Sequence, residues 1–200
     1  MRLWCRARRV QQLVVVLLVV GGIQSVVGGT VLRVPPVVGV DGISTWSTFL
    51  PVVLGVALAD SVASRTQGVE QRVARHVVAL DLVLLLFAAS AAAALLCAFR
   101  GSHPEAAGTV GHVLIATGTA TAATLRWGRG AGVLLPISTA VVCLGYGYDA
   151  PAGPYVRVLA PDSDAAWDLA VGCAVFGAAS IMILTRSVTI SFRRADALAR

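Results

Sequence analysis

Residues 2–29 read RLWCRARRVQQLVVVLLVVGGIQSVVGG. Four arginines stand ahead of an apolar run of about 20 residues, the length a helix needs to cross a hydrocarbon core of about 30 Å. The beginning resembles the basic and apolar regions of a secretory leader, but no small-residue A-x-A-type cleavage site follows. Arg8-Arg9 is a twin-arginine pair without the rest of that motif. The segment therefore reads as a retained first helix with its basic end in the cytoplasm.

The same alternation continues outward along the chain. Apolar segments are expected at about 10–29, 46–63, 77–99, 110–127, 131–148 and 166–185. All sixteen basic residues are arginine, and thirteen of them sit at the N-terminus, the second-to-third loop, the fourth-to-fifth turn and the C-terminus. Only Arg33, Arg100 and Arg157 fall in the other connections. Basic residues are retained on the cytoplasmic side of short loops, so the bias puts both termini inside. Trp4 and Trp127 fall at the inner interface, and Trp46, Tyr146, Tyr148 and Trp167 at the outer one, where amphipathic rings settle at headgroup level. The expectation is an all-α, polytopic membrane bundle of six transmembrane helices forming one domain over 1–200, in a bacterial cytoplasmic membrane.

Composition agrees with that class. The chain of 200 residues is 57% hydrophobic and only 13% charged, and its mean hydropathy is +0.82. A water-soluble domain this apolar would expose aggregation-prone patches. The net charge of +6 is split among termini and short loops, so it gives no single basic face for nucleic acid. The lack of lysine fits a GC-rich coding sequence.

Cys5, Cys97, Cys143 and Cys173 show no C-x-x-C spacing, and Cys143 with Cys173 is the one pairing worth testing. His103 and His112 have no ligand partner at helical spacing, so no metal is expected. No nucleophile elbow, phosphate-binding loop or His-Glu-x-x-His is present, so neither an enzyme nor a cofactor is expected.

Small residues recur every fourth position at Gly21/Ser25/Gly29, Ala116/Ala120/Thr124 and Ala170/Ala174/Ala178. Such stripes let helices approach closely in lipid, and packing within the bundle is favoured over a dimer seam. Pro136, in LLPIS, removes a backbone donor inside the fifth segment and is a candidate kink. Asp60 and Asp81 are acidic residues inside proposed spans, close to the inner edge. They flank the basic loop SRTQGVEQRVARH, residues 64–76. Structural ion pairs are expected, Asp60 with Arg65 and Asp81 with Arg75 or His76. Val69, Val73 and Val77 make the loop a short amphipathic helix with a charged face.

Residues 50–78, LPVVLGVALADSVASRTQGVEQRVARHVV, resemble the region of type-2 ABC exporter permeases where a small-residue span ends in a charged loop. Gly68-Val69-Glu70 echoes that family's glycine–threonine–x–glutamate pattern, and MRLWCRARRVQQ is similar to its basic start. The chain departs from the family in lacking a helical hairpin between the fifth and sixth spans. The resemblance implies a subunit that binds no ATP itself and pairs as a homodimer or with a paralogous permease. It implies that Arg65, Glu70, Arg72 and Arg75 face a separate cytoplasmic ATPase. The competing expectation is a non-transporting integral membrane scaffold or immunity-type protein that acts through helix–helix contacts.

Overall fold

The computed structural model describes residues 9–27, 31–34, 42–62, 74–100, 105–146 and 165–198. Among them are six helices and one short hairpin. The order is α1 (Val10–Val27), β1 (Val31–Val34), β2 (Gly42–Thr45), α2 (Trp46–Val62), α3 (Ala74–Arg100), α4 (Glu105–Trp127), α5 (Arg129–Tyr146) and α6 (Ala165–Leu198). The helical class stands, and the helices start and stop close to the apolar segments, except that α6 runs on to Leu198. The hairpin is the addition. β1 and β2 pair antiparallel, Val31 opposite Thr45 and Val34 opposite Gly42. Strands this short carry too few alternations to register as a pattern in the sequence.

Helix α4 is the centre of the bundle. It packs most extensively against α6, then α2 and α5, and also touches α3, while α1 lies on α2 and α3. The apolar core follows helical spacing on each element. Leu13, Leu17 and Val20 come from α1, Leu50, Leu54 and Leu58 from α2, and Leu84, Leu85, Ala88 and Ala92 from α3. Val113 of α4 and Ile183 of α6 complete it.

Glycines set the closest approaches. A side chain on Gly111 would sit 2.5 Å from the carbonyl carbon of Asp168, and one on Gly172 would sit 2.7 Å from the carbonyl oxygen of Gly111. The α4 and α6 backbones therefore touch, and no larger residue fits between them. Gly55 plays the same part for α2 against Ala116 of α4, at 2.6 Å from its carbonyl oxygen.

The small-residue stripes divide. Ala116, Ala120 and Thr124 are buried inside the bundle, as intramolecular packing requires. Ala170, Ala174 and Ala178 are exposed, which corrects that expectation for the last helix. Asp168, Gly172, Ala179 and Ile183 form its inward face instead. Gly111 receives α6 at Gly172, and that contact fixes the rotation of the helix. Gly21 is buried against Leu95 while Ser25 is exposed, so the first stripe is only half used.

Among the described residues two helices have both the length and the apolarity to cross a membrane: α1, and residues Ala165–Thr185 of α6. Shorter apolar runs lie in α2 (Phe49–Leu58), α3 (Ala79–Leu95) and α5 (Arg129–Val141). Only 22% of the residues in each of the two long windows are buried. The core helix of a water-soluble domain would be mostly buried.

Candidate functional site at the two ends of the bundle

Asp60 lies in the last turns of α2, and two basic residues from distant parts of the chain reach it. Arg9 Nη1 donates to Asp60 Oδ2 at 2.8 Å. Arg129 Nε engages Asp60 Oδ1. Arg9 immediately precedes α1 and adopts a left-handed backbone, φ 50°. Its carbonyl accepts from the Leu13 amide at 3.1 Å, so the same residue starts the helix and reaches across to α2. Arg129 opens α5, just after a turn made at Gly128, whose φ of 92° only glycine adopts cheaply. One carboxylate thus ties the ends of α1, α2 and α5 together. The Asp60 and Arg9 side chains are about a quarter exposed and that of Arg129 just over half, so solvent screens the pairs in part.

Arg65, the partner that nearness in sequence points to, lies outside the described residues; Arg9 and Arg129 are further partners of Asp60. The fold brings Arg9 and Arg129 to it, because the start of α1 and the α4–α5 turn share one end of the bundle with the end of α2. A signal was available, since all three residues fall on the same side in the arginine threading. Asp81 is buried in α3. Arg65, Glu70 and Arg72 lie outside the described residues. Arg75 and His76 belong to the first turn of α3, and their side chains also lie outside that description.

The opposite end carries a second polar contact, which sequence reasoning missed. His112 Nε2 of α4 lies 3.1 Å from Asp168 Oδ2 of α6. The Asp168 side chain is 0% exposed and that of His112 12%. Burying a carboxyl group is costly unless polar partners compensate, so this contact holds the α4–α6 seam at the level of Gly111. The two residues stand 56 positions apart, and no local pattern announces them.

Between α2, α4 and α5 lies a small cleft, lined by Pro51, His112, Thr119, Pro136 and Thr139 among others. Both helical prolines border it. Pro136 lies inside α5, and Pro51 inside α2. The carbonyl of Gly132 loses its usual donor at Pro136. Thr139 Oγ1 turns back to the Leu135 carbonyl at 2.8 Å. Free space within the cleft suits little more than a water-sized molecule.

Several hydroxyls of α4 bond back to their own helix, whereas that of the buried Thr121 has no hydrogen-bond partner. Thr117 donates to Val113, Thr119 to Ile115 and Thr124 to Ala120, each at 2.7 Å. This back-bonding hides a polar group without needing a neighbouring helix. Cys97 and Cys173 are free thiols, so the Cys143–Cys173 bridge is not formed. Among the described residues no group of three metal-ligating side chains converges.

Comparison of this chain with family models, with curated proteins and with solved structures finds no match.

Proposed function

We propose that the chain is a multi-pass protein of the bacterial cytoplasmic membrane, threaded six times with both termini inside. The observation that carries this is the polarity of the bundle. Several polar side chains are buried between the helices while many large apolar ones face outward. Thr109, Thr117, Thr121, Thr124, Gln24, Ser61, Asp81 and Asp168 are buried. Leu18, Val26, Phe87, Leu134 and Ile181 are each more than 60% exposed. Lipid favours that arrangement and water penalises it. Helices α2 to α5 need less overall apolarity than α1, because part of each surface faces protein.

Within that setting we assign the chain as a permease-like subunit of an ABC-type transporter, working with a separate ATPase. Support comes from the resemblance of residues 50–78 and from the position of Asp60. The loop that bears Arg65, Glu70 and Arg72 leaves α2 just beyond Asp60, and Asp60 connects α2 to the ends of α1 and α5. A push on that loop therefore reaches three helices through one carboxylate. The test is affinity isolation of the tagged chain from its native membrane in mild detergent, with and without Glu70→Ala/Arg72→Ala. Recovery of an ATPase subunit, lost in the double variant, is the expected result. A preparation holding only this chain, or other membrane proteins, contradicts the transporter assignment.

A second reading rests on the exposed Ala170/Ala174/Ala178 face of α6. A small-residue face turned to lipid suits helix–helix association, as a scaffold or immunity-type protein would use. Removing the loop charges would leave such a protein active. Bulky residues at Ala170 or Ala174 would inactivate it.

A further inference from the structure

At the Asp60 end of the bundle the chain turns sharply through RWGRG, residues 126–130. Arg9 and Arg129 share the single carboxylate of Asp60, which leaves that cluster with excess positive charge. Arg129 keeps 54% of its side chain exposed even while bound. Arg126 is exposed and has no ion-pair partner among the described residues. Trp127, between the two arginines, is 68% exposed. No atom lies within 4 Å of where a side chain at Gly128 or Gly130 would stand, so the backbone can be approached closely there. Along α5 the basic turn runs into the exposed Leu134, Leu135 and Ile137.

We propose that Arg9, Arg126, Trp127 and Arg129 bind the phosphate of an anionic phospholipid headgroup. The patch is basic at the turn and apolar immediately along the helix, so it matches a ligand with an anionic head and a hydrocarbon tail. Guanidinium groups grip phosphate oxygens in pairs, and two arginines flanking Trp127 and Gly128 present two such groups. Trp127 places an amphipathic ring at headgroup level beside them. A soluble anion would satisfy the arginines and leave the exposed leucines without a role.

This proposal rests on the bilayer reading, and one experiment separates the two. A form of the full chain with Trp4, Trp46 and Trp167 replaced by phenylalanine leaves Trp127 as the sole tryptophan, excited selectively over tyrosine. In bilayer discs, its quenching by brominated phosphatidylglycerol is compared with its quenching by brominated phosphatidylcholine. Preferential quenching by the anionic lipid is expected, with the preference falling roughly five-fold in Arg126→Gln. Arg126→Gln touches no ion pair among the described residues, so its effect is not a loss of fold. Equal quenching by both lipids overturns the proposal and leaves the bilayer reading intact. Quenching by neither overturns both. A preference that survives Arg126→Gln assigns the lipid elsewhere and overturns the proposal. A preference erased by excess inorganic phosphate assigns the patch to a soluble anion, which overturns it as well.

Discussion

Helices α1 and α4 invert the usual relation between apolarity and burial. Helix α1, VQQLVVVLLVVGGIQSVV, is dominated by valine and leucine, yet only Leu13, Leu17, Val20, Gly21 and Gln24 are buried. Helix α4, EAAGTVGHVLIATGTATAATLRW, carries five threonines and three glycines and sits at the centre of the bundle. In water the more apolar helix takes the centre, because burial there removes apolar surface from solvent. In lipid that drive is absent between helices, and close packing and polar contacts choose the centre. Gly111, Thr117 and His112 are thus placed inside for the same reason that Val14, Leu18 and Val26 are left outside.

The comparison is broken most severely at the α4–α6 contact. Gly111→Val puts methyl groups into the Asp168 backbone. We expect a loss of about 3 kcal/mol, read as a lower thermal midpoint in detergent. The matched change Gly22→Val in α1 meets nothing within 4 Å and should leave the midpoint almost unmoved. Equal effects at the two glycines would contradict the account.

Next comes the polar seam. His112→Phe keeps the ring volume and removes one partner of a fully buried carboxyl. A loss of about 2 kcal/mol is expected. It should appear in the same melting measurement, and Asp168→Asn with His112 intact should cost less.

Asp60→Asn removes the charge shared by Arg9 and Arg129 while keeping the side-chain shape. The pairs are partly exposed, so the expected cost is only about 1 kcal/mol, smaller in high salt. Its larger consequence should be mobility at the ends of α1 and α5, read as faster amide exchange at Leu13 and Gly132.

The smallest effect sharpens the comparison from the lipid side. Leu18 is 65% exposed. Leu18→Ala should change the stability read from the melting midpoint by no more than about 0.5 kcal/mol. Leu18→Asp should block membrane insertion of α1, because a carboxylate facing lipid has no partner. If Leu18→Asp is inserted as readily as Leu18→Ala, the outward face of α1 is not in hydrocarbon.

Much of the fold was legible in the sequence, because apolar length and helix length coincide. The expected segment 46–63 is Trp46–Val62, and 110–127 ends at the same Trp127 as α4. The exception is α6, which runs to Leu198 past the apolar residues and carries Arg186, Arg193 and Arg194 in helix. Hydropathy cannot see a helix that continues after its apolar face ends. The facing of the small stripes was not legible either. On α6 an alanine stripe and the Asp168/Gly172 face compete, and only the partner glycine on α4 decides between them. The site was legible as residues and not as pairs. Asp60 stood out as a charge near the inner edge, but nearness in sequence cannot point to Arg9, 51 positions away. His112 and Asp168 stand near the starts of α4 and α6, 56 positions apart, and nothing short of the packed bundle joins them.

The central claim is that the apolar face of α1 meets lipid while the threonine-rich α4 is shielded by protein. Nitroxide labels placed singly at Val14, Leu18 and Val26, and at Val113, Thr117 and Thr121, report this directly in reconstituted liposomes. The account predicts frequent collisions with oxygen and few with a water-soluble nickel chelate at the α1 sites, and few with either at the α4 sites. Ready access of the nickel chelate to Leu18 would contradict it.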